Sequence, residues 1–167
     1  MLNSREILKL IKEEELIKDF LDLTIQLQPS GFDLSLSEVH EHIGAGRVDF
    51  TNQERSLAST IPVTSDGEGW YTLSKGCYLV VFNETVKIPL DIVAIARTRS
   101  TLLRNGASVE TAVWDPGYQG RSSSLLVVHN SKGIKLKKDA RIAQLLFFKI
   151  GEVEQGYRGI YQKERLK

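Results

Sequence analysis

Between Arg97 and Gly106 the chain reads RTRSTLLRNG, with Arg99, Ser100 and Arg104 set around two leucines. A guanidinium pairs phosphate oxygens two at a time and never loses its charge, so this spacing suits a clamp for a polyphosphate. The same letters also fit a solvated turn with scattered cations. A second segment, TAVWDPGYQGR from Thr111 to Arg121, sets Asp115 just before a Pro-Gly turn. An Asp there is either a turn former or a rigidly held carboxylate that orients and deprotonates a water for attack on phosphorus. Tyr118, three residues on, can lay its ring against a sugar or serve packing. In PSGFDLSL, Asp33 interrupts an apolar alternation and points to one strand face. It reads as an indirect, water-mediated support for magnesium or as a strand-end cap. In ARIAQLLFF, Gln144 is a lone amide in an apolar strand and needs a partner, either phosphate oxygen or backbone.

Other chemistries lose support. His40, His42 and His129 form no H-E-x-x-H or similar array, and no G-x-S-x-G, Walker or G-x-G-x-x-G pattern is present. The 22 basic and 21 acidic residues leave a formal charge of +1, so no global field exists to hold a nucleic acid polymer. The single Cys77 excludes an internal disulfide and makes the cytoplasm the default compartment. Charges break every apolar run of MLNSREILKLIKEEEL, which is neither a signal peptide nor a membrane span.

The elements that must position these residues follow from periodicity. Ile7, Leu8, Ile11 and Leu16 lie near helical spacing, and Asn3 with Glu6 has the form of a capping box, so an amphipathic helix is expected within residues 1–20. Short runs then alternate with Gly and Pro: Phe32 to Val39, Gly76 to Asn83, Ile92 to Arg97, Ser124 to Asn130 and Ile142 to Ile150. These predict a mainly β body, a jelly roll or sandwich, formed as one domain over residues 1–167. The polar stretch Ile43 to Gly69 reads as loops and turns, one reading being an arm over a neighbouring subunit. Residues 155–167 read as a mobile tail.

Taken in order, PSGFDLSL, RTRSTLLRNG, VWDPGYQG and RIAQLLFF resemble the dUTPase and dCTP deaminase superfamily over nearly the whole chain. That resemblance implies a distorted jelly-roll β-barrel, a homotrimer with active sites at subunit interfaces, and magnesium as cofactor. It implies that Arg99, Ser100, Thr101 and Arg104 contact phosphate in the family's R-S-x-x-x-R motif, with Gln144 beside them. It further implies that Asp115 is the catalytic carboxylate, that Tyr118 packs under deoxyribose, and that Asp33 lies near the metal-bound phosphates. Tyr157 and Gln162 fall in a Y-x-G-x-Y-Q pattern similar to the substrate-binding tail of deaminase-like members.

Three departures separate this chain from the deaminases it resembles. Their glutamate in the strand after D-P-G-x-x-G is replaced by aliphatics, with Leu125 or Val128 at its position. An aliphatic side chain cannot shuttle a proton to cytosine. The hairpin TAVWDPG is one residue short and lacks their arginine, and Tyr118 stands where they commonly carry Trp. The expected activity is therefore a dUTP diphosphatase of the archaeal, deaminase-like kind, giving dUMP and pyrophosphate. A dCTP deaminase, bifunctional or not, is the first alternative, and a non-hydrolysing nucleotide sensor is the second.

Overall fold

The computed structural model describes residues 1–166; Lys167, the last residue of the expected tail, lies outside them. Helix α1 (Ser4–Glu14) starts as its sequence predicts. Asn3 Oδ1 accepts from the N–H groups of Arg5 and Glu6, and the Glu6 carboxylate accepts from Asn3 N at 2.8 Å, completing the capping box. Ile7 and Ile11, one turn apart, are its buried face, and Leu2 N donates to Phe147 O at 2.8 Å to pin the helix to the barrel. The helix is shorter than the apolar spacing suggests. Glu15 turns left-handed at φ 58°, and Leu16 and Ile17 are buried beyond it rather than on the helix.

Next come β1 (Ile17–Lys18), α2 (Leu23–Gln26), β2 (Leu27–Gln28) and the long β3 (Gly31–His42). The arm region holds only β4 (Thr60–Pro62), followed by β5 (Trp70–Leu73), β6 (Gly76–Phe82), β7 (Thr85–Lys87) and β8 (Ile92–Thr98). A short helix, α3 (Ser100–Arg104), leads to β9 (Ala107–Glu110), β10 (Gln119–Gly120), β11 (Ser123–Val128), β12 (Ile134–Lys137) and β13 (Arg141–Lys149). Each of the five predicted strands is present, within a few residues of its expected ends.

The main sheet runs β8-β13-β3-β6-β11-β9, with β2 and β4 attached to β3. Its two outer strands meet through one side chain: Thr98 Oγ1 accepts from Val109 N at 2.8 Å and donates to Val109 O at 3.0 Å. The sheet is thus a nearly closed barrel, and the expected mainly β jelly-roll architecture is the observed one. Phe32, Leu34 and Leu36 of β3 point inward with Val80, Phe82, Leu145 and Phe147, all with essentially no exposure. Asp33 and Ser35, on the opposite face of β3, are buried as well. That face is covered by α2 and by arginines, which is why the first half of β3, despite its alternating polarity, is buried on both sides. In the arm, Val48 and Phe50 stand out at 90% and 102% exposure, with Arg47 and Ser56 bridging its base. No helix among the described residues is long and apolar enough to cross a membrane.

Candidate active site

Two groups of functional side chains form, on different parts of the barrel. The first is the basic cluster at the start of α3. Leu102 is the buried anchor of this single helical turn, while Ser100, Thr101 and Arg104 remain exposed. Beneath it, Asp33 is 1% exposed, and its Oδ2 accepts from Arg99 Nε at 3.2 Å and Arg141 Nη1 at 3.0 Å. Burial pushes the Asp33 carboxyl upward, while the charges of Arg99 and then Arg141 pull it back. Gln144 lies directly opposite Asp33 on β3 and Arg97 on β8, so the three share one face of the sheet. An anion at α3 would meet two arginines already aimed by one carboxylate.

Asp33 Oδ2 is engaged by two guanidiniums, and among the described residues no three His, Cys, Asp or Glu side chains gather as a metal site. Arg141 and Arg97 were not singled out by sequence reasoning. Arg97 was signalled by its period-two spacing from Arg99, but Arg141 lies 108 residues from Asp33 and only the fold joins them.

Behind the cluster, Glu84 is fully buried, and among the described residues it has no cation partner. Its carboxylate accepts from Ser35 N at 2.9 Å and Gln26 Nε2 at 2.6 Å, and also from Ser35 Oγ. Gln26 Nε2 also donates to Asp33 O at 2.9 Å, so Glu84 holds the backbone of β3 on both sides of Leu34. Burial raises the Glu84 pKa, and the bonds from Ser35 and Gln26 oppose that rise.

The second group surrounds the Asp-Pro-Gly turn. Asp115 O accepts from Tyr118 N at 3.1 Å, and Gly117 has φ +80°, so Pro116 and Gly117 occupy the two central positions of a type II turn. The turn is tied to the residue that follows β7, with Gly117 N on Ile88 O at 2.9 Å and Ile88 N on Tyr118 O at 2.8 Å. Asp115 is exposed, and among the described residues its carboxylate has no hydrogen-bond partner, so it does not cap its own turn. Tyr118 is only 6% exposed; its hydroxyl donates to Glu164 at 2.9 Å, and its ring meets that of Tyr157 edge-on at 5.7 Å. Burial, reinforced by the Glu164 charge and hydrogen bond, raises the Tyr118 pKa well above its ordinary value.

A cavity of about 840 Å³ opens beside this turn, lined by Asp115, Tyr118, Val113, Leu125, Glu110 and residues of the tail. Its floor exists because a ladder stops. β9 and β11 pair from Ala107–Val128 to Glu110–Leu125, and the next residues, Thr111 to Val113 and Ser122 to Ser124, separate. Trp114 pairs with Ala94 of β8 instead, with both N–H groups donating across at 2.9 and 3.0 Å. The hairpin therefore presents main-chain groups that its own ladder leaves unused.

The expected mobile tail has specific partners here. Tyr157 N donates to Pro116 O at 2.7 Å, Lys163 N to Gln119 O at 2.7 Å, and Arg121 N to Glu164 O at 3.0 Å. Gln162, expected to meet substrate, spends its amide on main chain: its Nε2 donates to Gly117 O at 2.8 Å and its Oε1 accepts from Gln119 N at 2.8 Å. Arg99, Ser100, Thr101, Arg104 and Gln144 do not line the Asp115 cavity. Trp114 pairs with Ala94 near the start of β8, whereas Arg99 and Ser100 follow its far end at Thr98.

Comparison with known proteins places this geometry. The family model described as dCTP deaminase-like matches residues 1–150. A Methanosarcina barkeri protein named probable deoxyuridine 5′-triphosphate nucleotidohydrolase is 52% identical over 169 residues, covering 100% of this chain and 99% of its own. The Methanocaldococcus jannaschii deoxyuridine 5′-triphosphate nucleotidohydrolase is 38% identical over 138 residues, covering 82% of this chain and 87% of its own. Among solved structures, the 2′-deoxycytidine 5′-triphosphate deaminase from Agrobacterium tumefaciens shares the fold with a TM-score of 0.67 at 21% identity, over 90% of this chain and 47% of that one. Matched by the family model over most of its length, and by relatives about half identical across all of it, this chain belongs to the dCTP deaminase-like family.

Proposed function

We propose that the protein is a dUTP diphosphatase, hydrolysing dUTP to dUMP and pyrophosphate. The observation that carries this reading is the hairpin that opens after Glu110 and Leu125 beside the unpaired Asp115 carboxylate. Uracil presents two carbonyls flanking one N–H, and the open strand edge at Thr111 to Val113 supplies matching main-chain donors and acceptors. Full-length likeness to proteins named deoxyuridine 5′-triphosphate nucleotidohydrolase supports the same substrate.

In this reading Asp115 takes the proton of a water as its oxygen bonds to the α-phosphorus. The bond from that phosphorus to the bridging oxygen breaks, and pyrophosphate leaves. Arg99, Ser100, Thr101, Arg104 and Gln144 hold the phosphates. Asp33 aims Arg99 and Arg141 rather than meeting a metal directly. Magnesium bound with the triphosphate would supply charge neutralisation, and Asp33 would support it only through water, which suits an ion that keeps much of its hydration. Catalysis is then chiefly positioning and charge neutralisation.

The α3 cluster follows the far end of β8 from Trp114 and lines no part of the Asp115 cavity, so in this reading the arginines of one copy serve the Asp115 of its neighbour. A homotrimer with sites between subunits meets that requirement, and the exposed Val48 and Phe50 of the arm are suited to such contacts. Its substrate belongs to the soluble nucleotide pool, and we assign the protein to the cytoplasm.

The test separates nucleotide products after incubation with dUTP, and separately with dCTP, in magnesium and in excess chelator. We expect dUMP and pyrophosphate from dUTP with magnesium, and dCTP intact. Glu110 sits opposite Leu125 and lines the cavity, so the dCTP arm also asks whether that carboxylate replaces the deaminases' glutamate. Ammonia release from dCTP would overturn the assignment, and binding without turnover would favour a sensor.

A further inference from the structure

We propose that the C-terminal segment acts as a fixed brace on the catalytic turn of its own chain, and that Gln162 is a positioning residue for Asp115 rather than a ligand of the nucleotide. The proposal rests on the assignment of Asp115 as the carboxylate that activates water.

Four features of the structure carry it. First, the Gln162 amide is used on both sides by the turn: Nε2 donates to Gly117 O at 2.8 Å and to Tyr157 O at 3.3 Å, and Oε1 accepts from Gln119 N at 2.8 Å. A side chain so engaged has no strong donor direction left for a phosphate. Second, main-chain bonds flank that clamp, from Tyr157 N to Pro116 O and from Lys163 N to Gln119 O, each 2.7 Å. The bonds reach Pro116, Gly117 and Gln119, so the brace grips the residues directly after Asp115. Third, the crossing is a glycine-on-glycine contact. A Cβ on Gly156 would lie 3.0 Å from Gly117 Cα, 3.1 Å from Pro116 O and 2.9 Å from Leu90 Cδ2. A Cβ on Gly117 would meet Gly156 Cα at 2.8 Å. Fourth, the Tyr118–Tyr157 ring contact and the Tyr118–Glu164 hydrogen bond close the same face.

The turn needs such a brace. Asp115 is exposed and its carboxylate makes no hydrogen bond among the described residues, so its aim depends on the backbone that carries it. A misplacement of about 1 Å in a reacting group costs up to ~10²-fold in rate. Residues that fix a backbone against such drift change turnover while leaving the binding of substrate alone.

The decisive experiment compares Gln162→Ala and Gly156→Ala with the unaltered chain, using steady-state hydrolysis of dUTP and hydrogen exchange of the free protein. Gln162→Ala removes the clamp, and Gly156→Ala forces the crossing apart while leaving Gln162 in place. For both we expect kcat to fall between about ten- and a hundredfold with KM changed less than about twofold. In the free, unaltered protein, the N–H groups of Gln119, Tyr157 and Lys163 should exchange slowly, and in Gly156→Ala they should exchange faster. A raised KM with unchanged kcat in Gln162→Ala would make Gln162 a nucleotide ligand and overturn the proposal, as would kinetics unchanged in both variants. Rapid exchange of those three N–H groups in the unaltered protein would overturn it independently. If the unaltered protein leaves dUTP intact, the functional reading fails, while the exchange measurement still decides whether the brace exists.

Discussion

Replacing Asp33 by Asn would test whether this carboxylate aims arginines or serves a metal. The change keeps the shape of the side chain but removes the charge held by Arg99 Nε at 3.2 Å and Arg141 Nη1 at 3.0 Å. Each pair is worth about 4 kcal/mol of gross attraction at the dielectric typical near a protein surface. Two effects reduce the net loss. Asp33 is 1% exposed, so much of that attraction only offsets its own desolvation, and both arginine side chains are 30% exposed, so water screens them. Burial outweighs both arginines and leaves the Asp33 carboxyl above its ordinary range, so the neutral amide should cost little, and we expect stability within about 1 kcal/mol of the parent rather than the roughly 3–5 kcal/mol lost on breaking a fully buried pair. With a urea m-value of about 2 kcal/mol/M for a chain of this size, the midpoint should move by no more than about 0.5 M, with m unchanged at a fixed protomer concentration. The freed Arg99 should raise KM for dUTP by about an order of magnitude, the loss of one charge-assisted hydrogen bond. The magnesium concentration that gives half-maximal activity should not move. The double variant Asp33→Asn, Arg99→Met should lose less stability than the two single changes added together. An unaltered KM would refute the aiming role, and a shifted magnesium requirement would restore Asp33 to the metal.

Other consequences follow from the same structure. Asp115→Asn should bind dUTP with nearly unchanged affinity while hydrolysing it about 10²–10⁴-fold more slowly, as single-turnover assays with separate binding titrations would measure; near-normal turnover would remove Asp115 from catalysis. Glu84 has a raised folded pKa, so the native chain binds its proton more tightly than the unfolded chain does. Stability from this group is therefore greatest at acid pH and declines as pH rises from the ordinary carboxylate range through the raised folded value. Glu84→Gln should flatten that decline in urea titrations across the same range, and an identical slope in both proteins would show that Glu84 does not titrate there.

Much of the architecture was legible in the chain because it rests on local rules. Asn3 with Glu6 marks a helix start through hydrogen bonds that span three residues. Val, Ile and Leu runs between Gly and Pro mark strands, and the polar Asp33 between Phe32 and Leu34 announces two faces of one strand. The order of the four motifs was enough to anticipate the family. The helix end was misjudged because Leu16 keeps helical spacing while Glu15, in the left-handed region, has already turned the chain.

What the sequence alone determined is therefore the set of chemical groups and the strands and turns that carry them, since periodicity, capping and turn propensity act over a few residues. Tertiary structure decided which groups meet. Arg141 joins Asp33 across 108 residues, Glu84 supports Ser35 across 49, and Gln162 grips Gly117 across 45. It also decided where the β9–β11 ladder ends, because Trp114 takes its partner from β8. Such pairings depend on how the barrel closes and brings distant backbone into register, and no pattern local to either partner encodes that distance.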